Sequence, residues 1–175
     1  MSAGQIAAAV VVAALLFWAV GAYNRLVRLR GTILRRFAPL ESQFRQRNEL
    51  LLHDDALAAL AAHADATQID ALRAACGQVE TACDAARLRP GVASVIKNLR
   101  LADEILMQVR ARLPAPPAAA TEPTEPDTRL GASDATLAFA RREFNEAVGD
   151  YNVAVRQFPT LMLVGLFGFR SAGLL

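Results

Sequence analysis

Aromatic residues make up only 6% of this sequence, and it has almost no alternating runs of valine, isoleucine and threonine. The side chains that favour β-sheet are therefore scarce. Two cysteines and two histidines leave little material for a metal centre or for redox chemistry. A formal net charge of +2 is too small to suggest a nucleic-acid binder. There is no phosphate-cradling glycine loop, no dinucleotide-binding glycine pattern and no serine elbow. No set of carboxylates clusters around an apolar pocket either. These absences remove the common routes to catalysis. What is present is alanine-rich and apolar: 54% of the 175 residues are hydrophobic. Alanine has the best intrinsic helix propensity, so the chain reads as all-α.

From Ala7 to Ala22 no side chain is charged. As a helix, this apolar run of about 17–20 residues covers roughly 26–30 Å, enough to cross a bilayer. Trp18 and Tyr23 lie at its downstream end, where amphipathic rings favour the headgroup region. Two alternatives compete. A soluble domain this small could hardly surround an all-apolar helix, and a cleaved signal peptide normally carries its positive charge in front. Here Arg25, Arg28, Arg30, Arg35 and Arg36 all follow the run. The positive-inside rule then puts the N-terminus outside and the remainder in the cytoplasm of a bacterial inner-membrane protein. That compartment suits Cys76 and Cys83 as free thiols.

Downstream, apolar side chains recur every three or four positions. The first stripe is Leu26, Leu29, Ile33, Phe37, Leu40, Phe44 and Leu51, on a helix expected to reach about Ala64 with a kink or break near Pro39. The second, after a cap at Asp65 or Thr67, carries Ile69, Leu72, Cys76, Val79, Cys83 and Ala86, and ends at Arg89-Pro90-Gly91. The third is Val92, Val95, Leu99, Ala102, Leu106, Val109 and Leu113. A fourth helix, capped near Ser133, presents Leu137, Phe144, Val148, Tyr151, Val155 and Phe158, with Arg141 as its one polar member. Single-striped helices need neighbours. The expected fold is thus a single N-terminal transmembrane helix continuing into an elongated antiparallel four-helix bundle.

The predicted organisation follows. Residues 1–22 form a short external N-terminus and the anchor, and residues 23–113 the first three cytoplasmic helices. A proline-rich loop takes 114–130, the fourth helix 131–158, and an apolar tail at the membrane surface 159–175. The predicted core includes Leu26, Leu29, Ile33, Phe37, Cys76, Cys83, Leu99, Leu106, Phe144, Val148 and Tyr151. Two antiparallel returns bring the end of the fourth helix back to the bilayer. The predicted membrane interface is therefore Trp18, Tyr23, Arg25, Arg28, Arg30, Arg156, Phe158, Phe167 and Phe169.

Tyr23-Asn24-Arg25-Leu26-Val27-Arg28 is echoed by Tyr151-Asn152-Val153-Ala154-Val155-Arg156, and both fall at the membrane-proximal end. At these residues the chain resembles the LemA family of bacterial proteins. The likeness rests on the anchor, on YNRLVRLRGTILRRF with the following LESQFRQRNELL, and on FARREFNEAVGDYNVAVRQFP. Its most specific combination is Tyr151-Asn152, Phe158-Pro159 and Leu166-Phe167-Gly168-Phe169, with Tyr23-Asn24 as the matching pair near the anchor. The resemblance implies one N-terminal membrane helix, an outside N-terminus and a cytoplasmic helical bundle. It implies no known catalytic activity, and one branch of the family is associated with organising internal bacterial membranes. The chain departs from the family at Phe37, near which a tryptophan is usual. It also departs at Glu49-Leu50-Leu51-Leu52, where members carry aspartate-leucine-isoleucine-proline. From His53 to Arg129 the likeness lies mainly in helical pattern and in Pro90, near the family's tyrosine-proline turn.

Little chemistry remains to weigh. His53 and His63 are about three helical turns apart, too far to share one ion. Cys76 and Cys83 are two turns apart, beyond the span of a disulfide within one helix, so they pack in the core. Glu41, Glu49, Glu143 and Glu146 read as solvated faces or surface ion pairs. The functional expectation is a non-enzymatic, membrane-anchored scaffold or interaction module, with no cofactor, metal or nucleic acid. Its partners would be membrane lipid and either further copies of itself or another membrane protein. The alternatives are a regulatory or accessory subunit of a membrane enzyme or envelope-stress complex, and a hydrolase.

Overall fold

The computed structural model of the chain describes residues 2–114, 125–157 and 168–175. Among these residues lie five helices and no strand: α1 Ala3–Leu52, α2 Asp54–Ala61, α3 Ala66–Leu88, α4 Ala93–Ala111 and α5 Glu125–Arg156.

α1 is one helix of 50 residues, roughly 75 Å long at 1.5 Å per residue. Its first buried side chain is Leu26. The part before Leu26, roughly 34 Å, has no buried side chain, and its length matches the thickness of a bilayer core with its margins. An 18-residue stretch of it has a mean hydropathy of 2.3 and contains no buried residue. A core helix of a soluble protein would have its apolar residues covered. Here Val10, Leu16 and Phe17 are well exposed, as suits a segment surrounded by lipid.

Beyond Leu26 the same helix becomes one wall of the bundle. Leu26, Ile33, Phe37, Leu40, Phe44 and Leu51 are buried, whereas Leu29 is only partly covered. Cross-helix pairs set the directions. Arg25 meets Gln157, Arg36 meets Glu143 and Phe37 meets Phe144, so numbers rise along α1 as they fall along α5. Asn48–Cys76 and Arg45–Asp84 make α3 antiparallel to α1, and Arg110–Asp134 with Asp103–Arg141 make α4 antiparallel to α5. The arrangement is the expected outward and returning path of four long helices, with α2 as a short addition.

The element boundaries differ from the sequence reading in three places. The first helix does not reach Ala64: it stops at Leu52, where His53 is extended and serves as N-cap to α2. Asp54 and Asp55 then fall in the first turn of α2, where carboxylates complement the helix dipole. Nor does Pro39 break α1. It lies on the exposed side, where the backbone carbonyl left without a partner can bond water. Finally, α5 starts at Glu125 rather than near Ser133, so residues 125–130 of the expected loop are helical. Proline is tolerated in a first helical turn, and Glu125 and Asp127 add favourable charge there. Ser133 is consequently a buried residue inside α5 and not a cap. At the start of α4, too, Ile96 takes the core position and Val92 stays open to solvent.

Candidate functional site

Two places concentrate polar chemistry. The first lies inside the bundle. Arg47 of α1 and Arg141 of α5 both donate to the carboxylate of Asp103 on α4, one to each oxygen. The side chains of Arg47 and Asp103 are 2% and 5% exposed, and that of Arg141 is 33% exposed. Both guanidinium groups also lie over the Phe44 ring, at 5.3 and 5.9 Å from its centroid. Three helices thus converge on one carboxylate. Charges this deep cost several kcal/mol each to desolvate, so the triad is held in place by mutual pairing rather than by being intrinsically stabilising. Next to Arg47 on α1, Asn48 donates to the carbonyl of Cys76 and ties α1 to α3.

The second place is the end of the bundle nearest the anchor. Tyr23 meets Phe169 edge to face with ring centroids 5.9 Å apart. Arg25 donates to Gln157 at 3.3 Å. Arg28, Arg30 and Arg156 are exposed at this end, as are Trp18 and Tyr23. The structure therefore gathers the basic residues around the point where the bare part of α1 meets the bundle. Tyr151 differs from its counterpart Tyr23. It is buried, burial pushes its phenol up from the ordinary value, and a nearby Arg30 and a backbone hydrogen bond from Arg170 work the other way. Of the other predicted interface and motif residues, Phe158, Pro159, Leu166 and Phe167 lie outside the described residues.

The described part of the apolar tail, 168–175, lies against the protein. Asn152 brackets Ala172, donating to its carbonyl at 3.0 Å and accepting from its N–H at 2.8 Å. Asn145 does the same to Leu175, at 2.7 and 2.9 Å. The tail runs antiparallel to α5 and crosses the start of α4. At Gly173 a Cβ would come within 2.8 Å of the Cα of Ala93, so only glycine fits. Gly168 opens the segment with a φ of +67°, a conformation that costs other residues more.

Neither place has the layout of a reaction centre. Cys76 and Cys83 are fully buried free thiols, pushed up by burial to about 11 and about 12, and so stay protonated and unreactive near neutral pH. Among the described residues no group of three or more histidine, cysteine, aspartate or glutamate side chains is placed to hold a metal ion. Two open grooves lie on the surface of the described residues. One is lined by Glu41, Arg45 and Glu49 on α1, and the other by Gln43 and Gln46 of α1 with Ser133 and Thr136 of α5.

The sequence reading had singled out Arg141 but not Arg47, Asp103, Asn145 or the asparagine role of Asn152. A usable signal existed for the triad. Arg47, Asp103 and Arg141 each occupy a stripe position on a different helix, and their charges are complementary. No curated protein and no solved structure matches the chain. The model of the LemA family matches residues 41–175. That span includes the central region, likened to the family above mainly by its helical pattern, and leaves out the anchor and the YNRLVRLRGTILRRF stretch. It takes in all of α2 to α5, both asparagine clamps and the tail. This membrane-anchored, all-helical chain belongs to the LemA family.

Proposed function

We propose that the chain is a scaffold anchored in the bacterial inner membrane, holding its helical body on the cytoplasmic face and associating with further copies of itself. The observation that carries this reading is the continuity of α1. One unbroken helix is bare and apolar up to Arg25 and forms a bundle wall from Leu26 onward. Such a connection fixes the body relative to the bilayer, which a scaffold needs and a tethered enzyme does not. The exposed small residues Ala7, Ala8, Ala9, Ala13, Ala14 and Gly21 also permit close approach between membrane helices. Arg28, Arg30 and Arg156 supply charge for anionic headgroups at the same level.

Orientation is checked with reporter fusions after Leu175. The cytoplasm-dependent reporter is expected to be active and the export-dependent one silent. The reverse pattern would place the body outside and remove the basis for a cytoplasmic role. Association is checked by measuring the mass of the full chain in lipid nanodiscs and by crosslinking in cells. Multimers and a specific crosslinked species are expected. Monomers throughout, with no specific crosslink, would defeat the scaffold reading.

A further inference from the structure

The tail groove recognises its occupant in an unusual way. Asn145 and Asn152 are seven residues apart on α5, two turns or roughly 10.5 Å. The residues they bracket, Ala172 and Leu175, are three apart, which an extended chain covers in roughly 9–10 Å. The two rulers agree, so both carboxamides can close on the same chain at once. Along the tail Phe169, Ala172, Gly173 and Leu175 are at least partly covered, and Arg170, Ser171 and Leu174 are exposed. At the start of the groove Tyr23 receives Phe169. The groove therefore accepts an extended peptide through its backbone, with an aromatic at the first inward position, a small residue at the second and glycine directly after it.

We infer that this groove also takes the tail of a second copy, so that neighbouring molecules are joined by exchanged tails. This rests on the self-associating reading above. Every contact just described is available identically from the tail of another copy. Exchange then changes no contact, and the choice between own and neighbouring tail is set by effective concentration alone. Two features put the neighbour's groove within reach. The groove begins beside Tyr23, at the foot of the anchor, so all copies in one membrane carry it at the same height. Ten residues join Gln157 to Gly168, a covalent reach of roughly 33–36 Å. Bundles two helices wide stand side by side at only about 20 Å.

The test pairs two separately tagged full-membrane proteins. One carries Asn145→Ala with Asn152→Ala and keeps its tail. The other lacks residues 168–175 and keeps its groove. Co-expressed, this mixed pair is expected to copurify, as wild-type copies do, while each variant loses copurification with its own kind. If same-variant pairs copurify as well as the mixed pair, copies associate elsewhere: the scaffold reading stands and tail exchange is overturned. If wild-type copies associate and the mixed pair does not, tail exchange is likewise overturned. If no pair copurifies, wild type included, both readings fail. A measurement without mutation guards against misfolded variants. Excess synthetic peptide of sequence 168–175 added to the wild-type multimer in nanodiscs is expected to lower its mass toward the monomer. An unchanged mass, or an equal fall with a scrambled peptide, overturns the proposal.

Discussion

Asp103→Ala is expected to lower the unfolding free energy by about 3–5 kcal/mol, the range for removing one partner of a buried ion pair. The magnitude follows from what remains. Arg47 is 2% exposed and has its only described charge partner in Asp103, so the variant keeps a guanidinium in the core without a carboxylate. The Phe44 ring under it offsets only part of that loss, about 2 kcal/mol at most for a desolvated cation over an aromatic face. The informative comparison is the triple replacement Arg47→Met, Asp103→Leu and Arg141→Leu. Apolar residues of similar volume there are expected to leave stability unchanged or to raise it by about 1–4 kcal/mol. Chemical unfolding of both variants in detergent, followed by circular dichroism, gives the two numbers. Equal and large losses in both would mean that the triad contributes through packing and not through charge.

Phe144→Ala is expected to cost about 3–5 kcal/mol by the same measurement. Phe144 is fully buried, and its ring meets Phe37 edge to face at 5.9 Å with 67° between planes. Truncation therefore removes the transfer energy of the ring, leaves a cavity between α1 and α5, and forfeits the about 0.5–1.5 kcal/mol of an aromatic pair. Phe139, on the same helix but 54% exposed, is the control; Phe139→Ala is expected to stay within about 0.5 kcal/mol of wild type. A Phe144→Ala cost as small as the control's would show that the α1–α5 seam is not the core of the bundle.

Much of this architecture is legible from periodicity. The stripe through Leu26, Ile33, Phe37 and Phe44 identifies the buried face of α1, and the uncharged run before Tyr23 identifies the anchor. The Asp65 cap with Gln68 three residues on marks where α3 begins. What escaped does so for physical reasons. His53 interrupts a helix whose composition hardly changes on either side, so no apolar spacing reports it. Glu125-Pro126-Asp127 looks like loop because proline usually is; only its place at a helix start makes it acceptable. The triad escaped because a charge on an apolar stripe is ordinarily read as an interruption of the core. Its meaning depends on two other helices arriving at the same level. The asparagine clamps were the least legible of all. Pairing with main chain leaves no pattern in the recognised segment beyond its glycine and its small residue at Ala172.

The stiffness of α1 has a mechanical consequence. Membrane helices tilt by about 20° on average, and by more where the bilayer is thin. The buried part of α1, from Leu26 to Leu52, extends roughly 40 Å beyond the membrane. Swung through about 20°, the far end near His53 travels roughly 14 Å sideways. A few ångströms of change in bilayer thickness thus become a displacement wider than a helix at the tip of the rod. The protein is built as a lever, with its fulcrum at the arginine collar and its long arm in the bundle.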